Sequence, residues 1–565
     1  MVDTDILKIS EDGKVVLDVY DNSVMSVVIP DGVEIIGEKA FSACNLLREV
    51  IMPQSVRIIK EDAFSCCKYL STIRLSDNLV EIGDFAFFFC EFLRTIHIPS
   101  TTERIGESAF ADCSSLEEIT LPDGLCELGD GVFDNCSSLK KVVIPGSIKV
   151  FDIFSFSYCK ALREIVLNDG VEKITGNTLT RFRAIKSLSL PNSLNDIEGE
   201  SLCCFDKLKE IHLLPDNPHF RFADGALYSS DMKRLIKVLS TNKGTFIVPH
   251  GVREIDSNAF HSCVHLTDVI IPDSVTKIGS YAFNGCISLK EIILPKKLKR
   301  IEEFTFFGCK ELYKISIPDS VKEIGRHAFW RCNALKEIRL PDSLAKIGIM
   351  AFPYYLQNII VSPNNKKFMA IDRVLYNKDI TELIEMPKYN GHRNFDVPVT
   401  VKKIWDYAFN FCEDLQSIKL PTGLTTLGES AFKGCKTLQS ISIPDGIRTI
   451  PRSAFMDCSA LKEVIWPKNL HKIQNWAFLC CDKIVSITIP ESIKVIEEYA
   501  LPLSLRQVHT HHKDPKKVAR QLKLVRESEY CDDYRFTLYV PKGSKADYLE
   551  EDFFKDWLKI KEDIY

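Results

Sequence analysis

The chain has 565 residues, 45% hydrophobic and 26% charged, with a formal net charge of −5. That weak negative balance excludes a broad phosphate-binding surface, which needs a basic face, and no apolar run reaches the roughly 20 residues that span a bilayer. The opening MVDTDILKISEDGK lacks the basic and apolar regions of a signal peptide, so the expectation is a cytoplasmic protein, or an exported one whose signal has been removed.

Residues 1–26 carry ILKISEDGKVVLDVY, two apolar runs about the turn Glu11-Asp12-Gly13-Lys14, and predict a capping β-hairpin. Residues 27–213 then repeat: Phe41, Phe64, Phe87, Phe110, Phe133 and Phe156 follow one another at 23 residues, and Leu179 and Leu202 keep the phase. Residues 214–250 break it with FRFADGALYSSDMKRLIKV, a strand–turn–strand pattern. A second array, 251–361, holds Phe260, Phe283, Phe306, Phe329 and Phe352. Residues 362–400 break the phase again with the matching FMAIDRVLYNKDITELIEM, and a third array, 401–510, holds Phe409, Phe432, Phe455, Phe478 and Leu501. The second and third arrays end alike, in Ala351-Phe352-Pro353-Tyr354-Tyr355-Leu356 and Ala500-Leu501-Pro502-Leu503-Ser504-Leu505. Within the last segment, 511–565, a helix over Pro515–Glu527 places Val518, Leu522 and Val525 on one face, with Lys516, Lys517, Arg520 and Lys523 around them. It is expected to cover the open end of the sheet, whose edge would otherwise invite aggregation.

A fixed period of this length marks a solenoid in which neighbouring coils complete each other's core. The predicted fold is therefore a mixed α/β repeat solenoid of about eighteen coils, with a parallel β-sheet, short helical turns and β-hairpin insertions. In LKEIRL, Ile338 and Leu340 alternate with Glu337 and Arg339 as a short strand. Pro341-Asp342-Ser343 turns the chain, Leu344 and Ile347 point inward, and Gly348 is expected to allow a tight bend. In RHAFWRC, Ala328, Phe329 and Cys332 are expected on one side of a helical turn, with Phe329 as the inward wedge.

Fourteen cysteines (Cys44, Cys67, Cys90, Cys113, Cys136, Cys159, Cys263, Cys286, Cys309, Cys332, Cys412, Cys435, Cys458 and Cys481) sit three residues after a marker Phe. A residue recurring once per coil forms a ladder, and a buried Cys is a small apolar residue with a weak S–H donor. A zinc site would need Cys-x-x-Cys pairs, and the chain has none. So many free-looking thiols fit a reducing compartment.

The pattern I-x-I-P-D-S-V-x-x-I-G-x-x-A-F-x-x-C-x-x-L, running over most of Val27 to Val508, resembles the BspA-type leucine-rich repeat. The tail TLYVPKGSKADYLEEDFFKDWLKI resembles the C-terminal end of bacterial members. The resemblance implies a solenoid without enzymatic activity. It also implies a relation to bacterial surface proteins that bind host matrix proteins or other bacteria.

Candidate chemistry is sparse. Gly428–Thr437, GESAFKGCKT, approaches a phosphate-binding loop but places its second Gly one position late and in phase with the repeat. His509, His511 and His512 read as surface histidines, with metal ligation as the alternative. No cofactor, metal, nucleic acid or membrane insertion is expected. Any partner, protein or glycan, is expected on the outward strand positions. The central column there contains Arg74, His97, Thr120, His212, Ser316, Arg339, Lys419 and Thr488 among Val, Ile, Ser and Thr, with no aromatic anchor. The expected function is a non-enzymatic scaffold for protein–protein interaction in adhesion or host matrix binding. The alternative is an intracellular structural or assembly module, and an enzyme in the tail ranks third because about 55 residues make a poor catalytic domain.

Overall fold

A computed structural model describes residues 6–176, 182–526, 536–554 and 559–563. Leu179 and Glu527, and the side chains of Lys523 and Val525, lie outside the described residues. The chain divides into two compact units, Met1–Ser288 and Leu289–Tyr565, built on the same plan.

Most coils contribute to three backbone ladders. The first joins three- to five-residue strands in parallel at an offset of one repeat, as in Ser26↔Glu49 and Glu49↔Thr72. The second joins two-residue strands, Ile35↔Ile58, Ile58↔Glu81 and Glu81↔Arg104. In both, Ile, Val or Leu points inward and polar residues point out, because successive strand residues face opposite sides.

In most coils a third ladder stands where a helical turn was expected, and the helical turn is kept at Ile153–Phe156. Along the Ala-Phe segment, Phe304, Phe306 and Gly308 donate their N–H groups to the carbonyls of Arg326, Ala328 and Trp330 in the next coil, each at 2.9 Å. In most coils the residues two before and two after the marker Phe are left-handed, as at His327 (φ 52) and Arg331 (φ 64). Each such non-glycine residue costs about 1–2 kcal/mol locally. A single helical turn would bond only within itself, and so short a helix does not repay its nucleation. The left-handed residues instead aim alternate N–H groups at the neighbouring coil. The sequence shows this segment's inward face but not the direction of its backbone.

The marker phenylalanines are fully buried and stack ring on ring. Phe41, Phe64, Phe87, Phe110, Phe133 and Phe156 have successive centroid separations of 4.9, 5.3, 5.3, 5.9 and 5.4 Å. Phe409, Phe432, Phe455 and Phe478 do the same at 4.8, 5.3 and 5.1 Å. All fourteen ladder cysteines are buried. Their role is more specific than space-filling: Cys113 Sγ donates to the carbonyl of Phe87 at 3.2 Å, and Cys136 Sγ to that of Phe110 at 3.1 Å. The thiol thus ties each coil to the preceding one. Burial pushes the Cys113, Cys159, Cys263 and Cys412 thiols up to about 12.

Glycine after the second strand serves close approach, not a bend. A Cβ on Gly348 would lie 2.4 Å from Arg326 N, and one on Gly129 would lie 2.4 Å from Glu107 N. Neither glycine has a positive φ.

Both insertions contain the expected hairpin and continue beyond it. Phe220–Ala223, Ala226–Ser229 and Arg234–Val238 form an antiparallel meander. Its last strand then pairs in parallel with the coil that follows, Arg234↔Glu254. Phe368–Ile371, Val374–Asn377 and Glu382–Glu385 repeat this, ending in Glu382↔Lys403. The N-terminal hairpin, Leu7–Ile9 with Val15–Val19, hands over at Val15↔Ile35. Gly244–Ile247 and Asn394–Asp396 also join the first ladder. So do Gln507–Thr510, Thr537–Val540 and Ile560–Glu562.

Counting the two units, 23 strands among the described residues therefore take the first-ladder position, where about eighteen coils were expected. The additional coils lie where the repeat motif is absent, and parallel pairing between segments distant in sequence leaves no local pattern. The helix Pro515–Arg526 lies against the last second-ladder strand, Val495–Ile496. Val518 and Leu522 are buried there, and Gln521 donates to the Ile493 carbonyl at 2.6 Å.

Candidate protein-binding surface

Every strand-face residue singled out from the sequence is exposed: Arg74, His97, Thr120 and His212 in the first unit, and Ser316, Arg339, Lys419 and Thr488 in the second. The ladder register sets them in columns, with Ile51 opposite Arg74, His97 opposite Thr120, and Ser189 opposite His212. Arg339 sits opposite Ile360, and Lys419 opposite Asp396. Arg339 pairs with Glu337 at 2.9 Å, and His212 lies 3.4 Å from Glu210. The outward position two residues earlier on each strand is laced between coils, as by Lys141 with Glu164 at 2.7 Å and Lys314 with Glu291 at 3.0 Å. Such exposed pairs are worth about 0–1 kcal/mol each, and they leave the face polar and shallow.

The structure adds three features to the sequence reading, the first two on this face. In the first unit, the register neighbours Ile247 and Ile270 are 64% and 55% exposed. In the second, the column continues from Thr488 to His509 and Tyr539. Those two rings stack at 4.5 Å, and His509 Nδ1 lies 2.9 Å from Asp563. Aromatic character is therefore present on the strand face, in the coils that the repeat motif does not mark. His512 Nε2 faces the Glu491 carbonyl at 3.0 Å, so His509 and His512 serve different partners.

The third feature is a cluster of apolar side chains off the strand face, on the third ladder and its rim. Leu46, Tyr69 and Phe92 occupy one repeat position in successive coils, three residues before the first strand, and are 42%, 41% and 46% exposed. Tyr69 and Phe92 rings lie 5.0 Å apart. Phe89 is 37% exposed, and Phe85 and Phe88 are half-buried beside it, with centroid separations of 6.0 Å (Phe85–Phe88) and 6.1 Å (Phe88–Phe89). The signal is present in the sequence as FAFFFCEF, where the neighbouring coil reads SAFADCSS. It was hidden because the marker Phe draws attention to the buried ring.

Among the described residues no group of three or more His, Cys, Asp or Glu is arranged to hold a metal ion, and no helix is long and apolar enough to cross a membrane. In Gly428–Thr437 the Thr437 hydroxyl donates to the Leu415 carbonyl at 3.0 Å and Glu429 N–H to Asp406 at 2.8 Å, so the segment serves the repeat.

Residues 19–140, 80–212, 126–245, 253–371 and 388–504 match the BspA type leucine-rich repeat region. The chain belongs to this family. Among solved structures, this BspA-type chain is similar to a leucine-rich repeat protein from Bacteroides ovatus, at 24% identity over 81% of this chain and 97% of that one, with a TM-score of 0.41. It is also similar to a leucine rich cell surface protein from Faecalibacterium prausnitzii, at 22% identity over 81% and 92%, with a TM-score of 0.39. A third, from T. pallidum, is 31% identical over 32% of this chain and 88% of its own, with a TM-score of 0.30. No curated protein matches the chain.

Proposed function

We propose that this BspA-type chain is a non-enzymatic scaffold that binds another protein, in adhesion or host matrix binding. The observation that supports this is the strand face, where ladder register repeats the same outward positions from coil to coil within each unit. A repeated shallow surface suits an extended macromolecule touched at many points, each contact weak and the sum strong. Arg74, His97, Thr120 and His212 in the first unit, and Ser316, Arg339, Lys419 and Thr488 in the second, supply its directed polar contacts. Among the described residues Arg74 and His97 are exposed and make no ion pair or side-chain hydrogen bond, so their donors remain open to a partner.

The test immobilises the full chain and measures binding of purified extracellular-matrix proteins and of the source cell's own soluble proteins. Charge reversal at Arg74 and Arg339 is expected to weaken binding modestly, and more at low than at high salt. Binding that survives replacement of the whole central column refutes the strand face as the site. The buried free thiols favour a second reading, an intracellular assembly module, since thiols persist in reducing compartments. Fractionation of the source cell separates the two.

A further inference from the structure

The apolar cluster on the first unit's third ladder stands on a markedly acidic strip. The five corresponding ten-residue segments, 37–46, 60–69, 83–92, 106–115 and 129–138, carry nine carboxylates and three lysines, a net charge of −6. The whole chain carries only −5, so the rest of the molecule is close to balanced. One repeat position, three before the marker Phe, is acidic in five successive coils: Glu38, Glu61, Asp84, Glu107 and Asp130. Glu38 is taken by Lys39 at 3.1 Å and Asp84 by Arg104 at 3.1 Å. Glu61, Glu107 and Asp130 are exposed and make no ion pair among the described residues. Two of the three lysines are already engaged, Lys39 as above and Lys68 with Glu91 at 3.2 Å.

Like charges repeated along a stack repel one another, and exposed aromatic rings gain nothing from water. Neither feature is needed to build a coil: the adjacent coil at 106–115 has Ser108, Ala111, Asp112 and Ser115 where this one has Phe85, Phe88, Phe89 and Phe92, and the acidic position is held by Ser257, Ser280 and Arg326 in coils of the second array. Large contiguous apolar patches rimmed by charge mark interaction sites, and aromatic side chains concentrate binding energy.

We propose that the apolar cluster Leu46, Tyr69, Phe85, Phe88, Phe89 and Phe92, with the acidic column beside it, docks a basic amphipathic polypeptide segment of a partner protein. Apolar side chains of that segment cover the rings, and its lysines or arginines meet Glu61, Glu107 and Asp130. Charge complementarity selects this occupant: a second copy of the chain would bring the same acidic strip against itself. The inference rests on reading the chain as a protein-binding scaffold, and it names the chemistry of the partner.

The test uses the full-length chain and labelled synthetic peptides, read by fluorescence anisotropy. The probes are an amphipathic Leu/Lys peptide, its Leu/Glu counterpart, and a Lys/Gly peptide of equal charge without apolar residues. The Leu/Lys peptide is expected to bind and the other two to bind at least tenfold more weakly, about the scale of one lost anchor. Phe92→Ser, alone and with Phe89→Ser, should weaken binding by roughly tenfold while leaving the melting temperature in place, because both rings are exposed. Neutralising Glu61, Glu107 and Asp130 to Gln, Gln and Asn should weaken it several-fold at low salt and less at high salt.

Equal binding of the Leu/Glu peptide, or unchanged binding by the Phe92→Ser chain, overturns the proposal. Concentration-dependent self-association that Phe92→Ser abolishes also overturns it, assigning the patch to a second copy. A natural partner whose binding depends on the strand column but not on Phe92 or Phe89 overturns this proposal and leaves the scaffold reading standing.

Discussion

Replacing Phe87 by Ala tests whether the core behaves as a one-dimensional stack. Phe87 is fully buried, with Phe64 and Phe110 each 5.3 Å away on either side. Truncating such a ring removes its transfer free energy and leaves a cavity, together about 3–5 kcal/mol. Phe41 is equally buried but begins the ring stack, with only Phe64, at 4.9 Å, beside it in the ladder. An aromatic pair contributes about 0.5–1.5 kcal/mol beyond burial, so Phe41→Ala should cost less than Phe87→Ala by about that amount. All five tryptophans lie after residue 288, so tryptophan fluorescence follows the second unit, while far-ultraviolet circular dichroism follows both. In urea, Phe87→Ala should lower the midpoint read by circular dichroism more than Phe41→Ala does. Losses equal within about 0.3 kcal/mol, the scatter expected of independent sites, would refute the nearest-neighbour picture.

The buried thiols predict alkaline lability. A Cys exposed by unfolding ionises near 9.0, whereas Cys113 stays protonated up to about 12 because burial disfavours the thiolate. Between those values the unfolded chain has lost protons that the folded chain keeps. Stability should therefore hold below about pH 9 and then fall by roughly 1.4 kcal/mol per pH unit per thiol; a flat profile to pH 11 would contradict this, and ladder thiols should react with an alkylating reagent only on unfolding. Gly129→Ala should cost about 1–3 kcal/mol, the usual range for overpacking, as its Cβ would lie 2.4 Å from Glu107 N; thermal unfolding measures it. Lys388→Met should cost about 3–5 kcal/mol, because it strands Glu385, whose carboxyl Lys388 meets at 2.7 Å in the core. Adding Glu385→Leu should recover most of that loss in the same melting assay.

The sequence by itself determines the period, the inward positions and the thiol ladder. Each is a local property repeated in phase, since Phe, Ala, Cys and Ile recur wherever the coil turns toward its core. It also marks the hairpin insertions, whose turns and alternation are contained within a few residues. Only the tertiary structure decides that the Ala-Phe segment is a third ladder of left-handed residues. Its N–H groups are satisfied by the next coil, 22 residues away, as Phe306 is by Ala328. Only the tertiary structure shows that the insertions and the tail continue the strand ladder, because Arg234↔Glu254 and Gln507↔Thr537 join segments with no shared motif. The apolar cluster lies between these cases. Its six side chains are plain in the sequence, but their exposure depends on which way each residue of the turn faces. Phe87 turns inward and Phe89 outward because Phe85 and Phe89, at φ 54 and φ 60, reverse the backbone on either side of the buried ring.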